Sequence, residues 1–143
     1  MVNVRLAESP RDVETCLRIR WTVFVEEQNV PPSLERDLHD RTDAVHALAL
    51  LRGVPAGTAR FVFVEPAVVK IGRMAVIDGA RGKSVGIALL RFLEEEARRR
   101  GAKKSTLWAQ VNARRFYEKA GYRAFGEVFG DAGIPHVRME CEL

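Results

Sequence analysis

The chain has 143 residues, with 23 Lys and Arg against 19 Asp and Glu, which gives a formal net charge of +4. This length suits one core, so we expect residues 1–143 to fold as a single domain. No apolar run approaches the ~20 residues that span a bilayer, and the N-terminal stretch lacks a signal-peptide core, so we expect a cytoplasmic protein without a membrane partner. The two cysteines, Cys16 and Cys141, show no zinc-ligand spacing, so we expect free thiols and no bound metal.

The positive charge is spread along the chain and forms no long basic run. The densest stretch, RRRGAKK at residues 98–104, falls where a helix should end. Cations there complement the negative helix terminus, and Gly101 is a natural helix stop. This arrangement favours a solvated helix end over a nucleic-acid surface, although a modest positive field also suits a polyanionic cofactor.

The first part of the chain predicts a strand, a helix and a long irregular segment. Residues 3–7 suit a short strand, and Ser9-Pro10 then opens a helix with Ser as its N-cap. Residues 29–43 are polar and contain prolines, so we expect a long loop or broken helix, often a functional feature. Helical spacing extends the apolar stripe to Phe24, and its members are Val13, Cys16, Leu17, Trp21 and Phe24.

The remaining elements alternate between strands and helices. The predicted strands are 44–51, 57–64, 68–76, 105–110, 122–129 and 136–142, and the predicted helices are 85–100 and 112–120. The order β-α-β-β-β-α-β-α-β-β predicts an α/β fold in which helices cover a mixed sheet. Residues 68–110 form one βαβ unit, whose parallel strands should connect with a right-handed crossover.

The stretch GARGKSVG at residues 79–86 enters the second long helix and has the character of a phosphate-binding loop. Its Gly82-Lys83-Ser84 triplet is similar to the end of a P-loop, but that motif needs a glycine where this chain has Ile77. From Arg81 to Gly86, free N–H groups and the helix dipole instead predict a diphosphate-type anion site, assisted by Arg81 and Lys83. A helix that begins after a glycine turn and binds nothing is the alternative.

Longer stretches resemble a known superfamily. IGRMAVIDGARGKSVGIALLRFLEEEA and NARRFYEKAGYRAFGEVF resemble the signature strand, pyrophosphate loop and cofactor-side helix of the GNAT acyl-CoA-dependent N-acyltransferases. VFVEEQNVPPSLERDLHD is similar to an uncharacterised bacterial subgroup of the same superfamily. The resemblance spans essentially the whole chain and implies a GNAT-like, mostly antiparallel sheet and an N-acetyltransferase that uses acetyl-CoA. The superfamily usually has Gly in place of Ser84, a difference that would weaken cofactor binding if the serine fits poorly.

The resemblance also implies which residues bind the cofactor. Asn112 would face it, although Asn is a good helix N-cap in any fold. Tyr117 would lie near the thioester sulfur and protonate the leaving thiolate, although it also suits a plain core position. The strand end that would hold the pantetheine arm through backbone groups is Met74, Ala75 and Val76. The pyrophosphate would lie on the N–H groups of Arg81, Gly82, Lys83, Ser84, Val85, Gly86 and Ile87.

The amine side of the reaction is less defined. Direct attack by a primary amine in a ternary complex needs a base, for which Glu27 is the favoured candidate, beside Glu26. The second set of candidate bases is Glu35, Asp37, His39, Asp40 and His46, and its D-x-H-D pattern is also a weak metal motif. His136 is expected simply on the closing strand. The candidate acceptor-pocket residues are Arg20, Trp21 and Phe24.

Several properties stay open at this level. Residues 20–43 and 126–136 should decide which small-molecule or peptide amine is accepted, and the closing strands would allow a homodimer. A non-catalytic acyl-CoA-binding regulatory module would use the same loop. A nucleotide- or nucleic-acid-binding protein is a third possibility, drawn from the GKS triplet and the positive charge, and its binding would be sensitive to salt.

Overall fold

A computed structural model describes all of residues 1–143 and shows one seven-stranded sheet in the order β1-β2-β3-β4-β5-β7-β6. The strands are β1 Val2–Leu6, β2 Val45–Leu51, β3 Val54–Glu65, β4 Val68–Val76, β5 Lys104–Gln110, β6 Arg123–Asp131 and β7 Ile134–Glu142. The α-helices are α1 Pro10–Arg20, α2 Pro32–Glu35, α3 Val85–Arg99 and α4 Arg114–Lys119. Only β4 and β5 pair in parallel, so the predicted α/β fold, mixed sheet and βαβ unit are confirmed.

Helices cover both faces of the sheet. On one face α3 buries an apolar stripe, because its apolar residues recur at helical spacing. A Cβ at Gly57 of β3 would lie 2.9 Å from Val85 Cγ1, so the missing side chain lets α3 approach the sheet closely. On the other face α1 packs Cys16 and Ile19 against Leu48, which points away from its neighbours on β2.

The first helix begins as predicted but changes geometry at its end. The Ser9 hydroxyl oxygen accepts a hydrogen bond from the Asp12 N–H at 3.1 Å, which satisfies one N–H of the first turn. From Trp21 to Glu27 the backbone forms a π-helix, which rotates the side chains relative to α-helical spacing. Trp21 is therefore 41% exposed, and the prediction that it continues the buried stripe was wrong.

The parallel strands separate halfway along their length. Their pairing runs from Val68 and Lys104 to Ile71 and Leu107. Beyond that point β4 has an irregularity in its pairing with β3, with Arg73 in the left-handed region at φ 53°, while β5 stays paired with β7 as far as Gln110. The result is a wedge-shaped gap in the sheet, directly below the start of α3.

Candidate functional site

The wedge between β4 and β5 contains a cleft of about 550 Å³. Its first end, which we call the loop end, lies at the start of α3 and is lined by Val76, Arg81, Gly86, Ala113, Phe116 and Tyr117. Its second end, the hairpin end, lies beside the β6–β7 turn and is lined by Lys70, Trp108, Asp131, Ala132, Ile134 and His136. The cleft is also lined by Phe24, Gln28, Val30, Leu34 and Glu35 of the segment after α1. The cleft connects a loop with anion-binding character to a cluster of polar side chains.

The loop end is built from backbone groups. The N–H groups from Gly82 to Ile87 donate to no acceptor in the protein, as expected where a helix begins. Gly82 and Ser84 both have positive φ, 76° and 68°, which turns the chain sharply before Val85. Lys83 is exposed, whereas the side chain of Val85 is buried in the core. Consecutive free N–H groups and the helix dipole suit a diphosphate.

Two further contacts shape the loop end. A Cβ at Gly86 would lie 3.4 Å from Phe116 Cζ and 3.7 Å from Met74 Sδ, so a side chain there would crowd the cleft. The carbonyl oxygen of Val76 accepts a hydrogen bond from Arg81 Nε at 3.0 Å. Val76 was expected to offer its backbone to a ligand, but Arg81 already engages this carbonyl. Ala75 is buried in the cluster beneath α1 and does not line the cleft.

The tyrosine of α4 lines the loop end of the cleft. Tyr117 is only 9% exposed, and its hydroxyl lies 3.7 Å from Met74 Sδ. Burial raises the pKa of Tyr117 to about 12, so the phenol keeps its proton at neutral pH. Asn112, by contrast, is exposed in a short 3₁₀-helix and lines no part of the cleft. It does not cap α4 either, since Ala113 occupies that position.

Glu27, the favoured base, is bound to the loop. Its carboxylate oxygens lie 2.9 and 3.1 Å from Arg81 Nη2, and it does not line the cleft. The carboxylate therefore neutralises Arg81 and ties the π-helix to the loop. This geometry argues against Glu27 as the base.

A histidine at the hairpin end has the geometry of a base. His136 lies on β7 opposite Gln110, and its Nδ1 is 2.7 Å from the carbonyl oxygen of Ile134. A carbonyl only accepts, so Nδ1 carries the proton and Nε2 keeps its lone pair. Nε2 has no partner in the protein, yet it is not sealed off, since the only nitrogens both buried and unpartnered belong to His46.

The other candidate carboxylates form an ion network with three arginines. The guanidinium of Arg20 binds both oxygens of Glu35 at 2.9–3.2 Å and both oxygens of Asp40 at 2.8 and 3.0 Å. Arg60 binds Asp37 at 2.6 and 2.7 Å and Asp40 at 2.7 Å. Arg73 of the irregular stretch of β4 donates to the carbonyl oxygen of Glu35 at 3.0 Å. We call these six residues the ion network; its charges balance.

The ion network corrects two expectations. Arg20 is 1% exposed and does not line the cleft, so it is a structural residue and not part of an acceptor pocket. Burial opposes ionisation of Asp40, but the hydrogen bonds from Arg20 outweigh it and hold the pKa of Asp40 well below its usual range. Hydrogen bonds from Arg60 likewise lower the pKa of Asp37. Carboxylates held in this way are poor bases.

The remaining candidates lie outside the cleft or at its border. Trp21 does not line it, whereas Phe24 does. His39 is exposed and pairs with Asp43 at 2.8 Å. His46 is 5% exposed, both its ring nitrogens lack a hydrogen-bond partner, and burial lowers its pKa.

Several cleft residues were not predicted from the sequence, among them Lys70, Trp108 and Asp131. Lys70 and Trp108 lie on adjacent strands, and Lys70 Nζ is 3.2 Å from the centroid of the Trp108 ring. Asp131 ends β6 at the hairpin end. Alternation along β4 and β5 was the available signal, because Val69, Ile71 and Leu107 face the core and their neighbours must face the other way.

This architecture defines an acyltransferase of the GNAT superfamily, and the comparisons agree. Residues 7–143 match the model of the GNAT acetyltransferase domain. Over 140 residues the chain is 39% identical to a Bacillus subtilis protein named as an acetyltransferase, covering 96% of this chain and 95% of that relative. The chain belongs to the GNAT acetyltransferase family, so the expected superfamily and transferase class are confirmed.

Solved structures show the same fold. An N-acetyltransferase structure from Lactobacillus plantarum superposes with a TM-score of 0.91 at 29% identity, covering 99% of this chain and 98% of that one. An aminoglycoside 6'-N-acetyltransferase complexed with coenzyme A has a TM-score of 0.76 at 14% identity, covering 99% and 96%. The second likeness concerns the fold alone.

None of the helices combines the length and apolar composition that a membrane crossing requires.

Proposed function

We propose that the protein transfers the acetyl group of acetyl-CoA to a primary amine by direct attack in a ternary complex. The observation that carries this proposal is the row of free N–H groups from Gly82 to Ile87, in which Gly86 lines the cleft between β4 and β5. A fold neighbour complexed with coenzyme A supports the same class of ligand here. The cleft then holds two reactants from opposite ends, and such positioning can supply much of the rate.

The loop end fits a CoA diphosphate. Backbone N–H groups donate to the phosphate oxygens, and exposed Lys83 adds a cation nearby. The missing side chain of Gly86 leaves room between the loop and Phe116. The bound thioester supplies the acetyl group and a thiolate leaving group, and the protein's part is to orient both and to move protons.

Two side chains can manage those protons. His136 Nε2 accepts the proton that the attacking amine loses as the new N–C bond forms. Tyr117 donates its proton to the sulfur as the C–S bond breaks, and the phenol is protonated at neutral pH. His136 takes the place of Glu27, whose carboxylate binds Arg81.

Calorimetric titration with acetyl-CoA, with magnesium-ATP as the control ligand, tests the cofactor. We expect binding of acetyl-CoA and none of ATP. Release of CoA thiol on addition of an amine panel then tests transfer. Binding without release for any amine would favour the non-catalytic acyl-CoA-binding module, and equal binding of ATP would remove the basis of the proposal.

Matched substitutions test the base. His136→Gln should lower kcat about 100-fold and leave acetyl-CoA affinity unchanged, because it removes only proton transfer. His39→Gln, at an exposed histidine outside the cleft, is the control. Glu27→Gln should change kcat by no more than about threefold, because an exposed ion pair contributes little. A larger kcat loss in Glu27→Gln than in His136→Gln would restore Glu27 as the base.

A further inference from the structure

The side chain of Lys70 is the unusual charge in the cleft. It projects from β4 at the last residues that pair with β5, and its ammonium lies over the Trp108 ring. No carboxylate lies within 4.0 Å of it, and it makes no hydrogen bond. Burial lowers its pKa, and Asp131 is the acidic residue that most opposes this effect. A half-buried ammonium with three donors and no acceptor calls for an anionic partner.

The other cleft cations already have partners. Arg73 is bound within the charge-balanced ion network, to the carbonyl of Glu35 and to Asp37. Arg81 is bound to Glu27 and Asp78. Lys70 is therefore the one Lys or Arg lining the cleft that lacks a carboxylate partner. Its Nζ also remains open to the cleft, since only His46 nitrogens are both buried and unpartnered.

The surroundings of Lys70 reinforce its positive field. The guanidinium of Arg138 lies 4.2 Å from the Phe129 ring centroid and 5.9 Å from that of Trp108, and it forms no salt bridge. Asp131 is an acidic residue of the hairpin end without a partner within 4.0 Å. The hairpin end thus presents an unpaired cation, an unpaired carboxylate and the free Nε2 of His136.

We propose, on the basis of the proposed function, that the acceptor is a small primary amine that carries its own carboxylate, and that Lys70 binds this carboxylate. The ammonium group of such a molecule complements Asp131, loses one proton to solvent water before the attack, and as a neutral amine gives its second proton to His136 while the N–C bond forms. The apolar residues Phe24 and Ile134 line the same cleft and suit a hydrocarbon portion. The inferred substrate class is therefore the amino acids and related amino carboxylates.

Matched acceptor pairs test this class. Leucine is compared with leucinol, phenylalanine with phenylalaninol, and glycine with ethanolamine, because each pair differs only in the carboxylate. For the wild-type enzyme we expect kcat/KM to favour the carboxylate member of at least one pair about 10- to 100-fold, the range of a hydrogen bond to a charged group. Lys70→Met should abolish that preference, and kcat/KM for the amino alcohols should stay within about threefold of the wild-type value. Lys70→Arg should retain part of it, and Lys103→Met, at an exposed lysine, should change nothing.

A binding measurement separates this inference from the proposed function. N-acetylleucine and its amide are titrated into the CoA-loaded protein and into its Lys70→Met variant. If the amino alcohols and the amino acids are N-acetylated at equal rates, the inference is overturned and the proposed function stands. No acetylation of any amine, with Lys70-dependent binding of N-acetylleucine, would support the carboxylate site and contradict amine acetylation. If the protein binds acetyl-CoA but neither acetylates any amine nor binds N-acetylleucine, the inference is overturned as well.

Discussion

The two ends of the cleft are held in different ways. At the loop end, the functional groups are backbone N–H groups of consecutive residues from Gly82 to Ile87, and their positions follow from one tight turn before α3. At the hairpin end, the functional groups are side chains from several strands, and the segment anchored by the ion network lines the same cleft. The loop end should therefore be sensitive to local sterics, and the hairpin end to the loss of distant charges.

The largest effect is expected from breaking the ion network. Arg20→Met removes the cation that holds Glu35 and Asp40, whose side chains are 2% and 5% exposed. Leaving these buried carboxylates without a cation should lower the free energy of unfolding by about 3–5 kcal/mol. Denaturant unfolding measures this value. Arg5→Ala is the matched control, because its bond to Asp12 is exposed and screened by solvent, so its loss should change stability little. Similar losses in both variants would mean that burial of the network has no energetic consequence.

Crowding the loop end should be the next largest effect, and it should act on binding. Gly86→Val places a branched side chain against Phe116 and Met74, so acetyl-CoA affinity should fall about 100-fold or more, equivalent to about 2.7 kcal/mol. Gly79→Val is the control, since a Cβ there meets nothing within 4 Å. Calorimetry on both variants gives the comparison, and unchanged affinity in Gly86→Val would place the cofactor elsewhere.

Removing the hydroxyl of Tyr117 should slow the chemical step and leave cofactor binding unchanged. Tyr117→Phe keeps the ring packed at 4.9 Å from Phe116, and kcat should fall about 10- to 100-fold through loss of the acid. Acetyl-CoA affinity should not change. Tyr122→Phe is the contrasting variant, because its hydroxyl binds Glu94 and Ser105 in the core and should affect stability. An unchanged kcat in Tyr117→Phe would leave this tyrosine as a packing residue.

Acid should weaken the hairpin end more than the loop end. The pKa of Asp40 is lower in the folded protein than in the unfolded chain, so its contribution is complete above the unfolded value of about 4 and is lost as the pH falls below it. Asp40→Asn should therefore destabilise the protein at pH 7, and its difference from wild type should be smaller at pH 3, where the unfolded carboxyl is largely protonated while the folded one keeps its charge. Unfolding curves at both pH values check this. A difference that stays constant would show that ionisation of Asp40 is not coupled to folding.

The smallest effect concerns the turn before α3. Ser84 has φ 68°, a conformation that costs a non-glycine residue roughly 1 kcal/mol, and its side chain makes no capping bond. Ser84→Gly should therefore stabilise the protein by about 0.5–1 kcal/mol. Ser84→Ala should give no such gain, because alanine is strained there too. Thermal unfolding of the two variants separates backbone strain from loss of the hydroxyl.

Features that depend on residues close together along the chain could be predicted from the sequence. The strands, the helices and the loop from Arg81 to Gly86 follow from local patterns, and the positive φ of Ser84 explains why glycine is usual there. The ion network could not be predicted, since Arg20, Arg60 and Arg73 lie far apart along the chain and meet only in the folded sheet.

The same limit applies to the base. Glu27 was predicted as a base beside the irregular segment 29–43, but its partner Arg81 is 54 residues away, and an ion pair across that separation has no local signal. The π-helix was missed because WTVFVEE has the composition of an ordinary amphipathic helix, so its geometry is not visible in residue type.

The ion network separates anchoring from recognition in the segment that borders the hairpin end. Glu35, Asp37 and Asp40 hold the backbone, whereas Val30 and Leu34 present only hydrocarbon to the cleft and hold nothing through their side chains. Substitutions at Val30 and Leu34 can change the shape of the cleft while the anchoring charges stay in place. In this segment, the anchorage of the backbone and the apolar lining of the cleft are therefore set by different side chains.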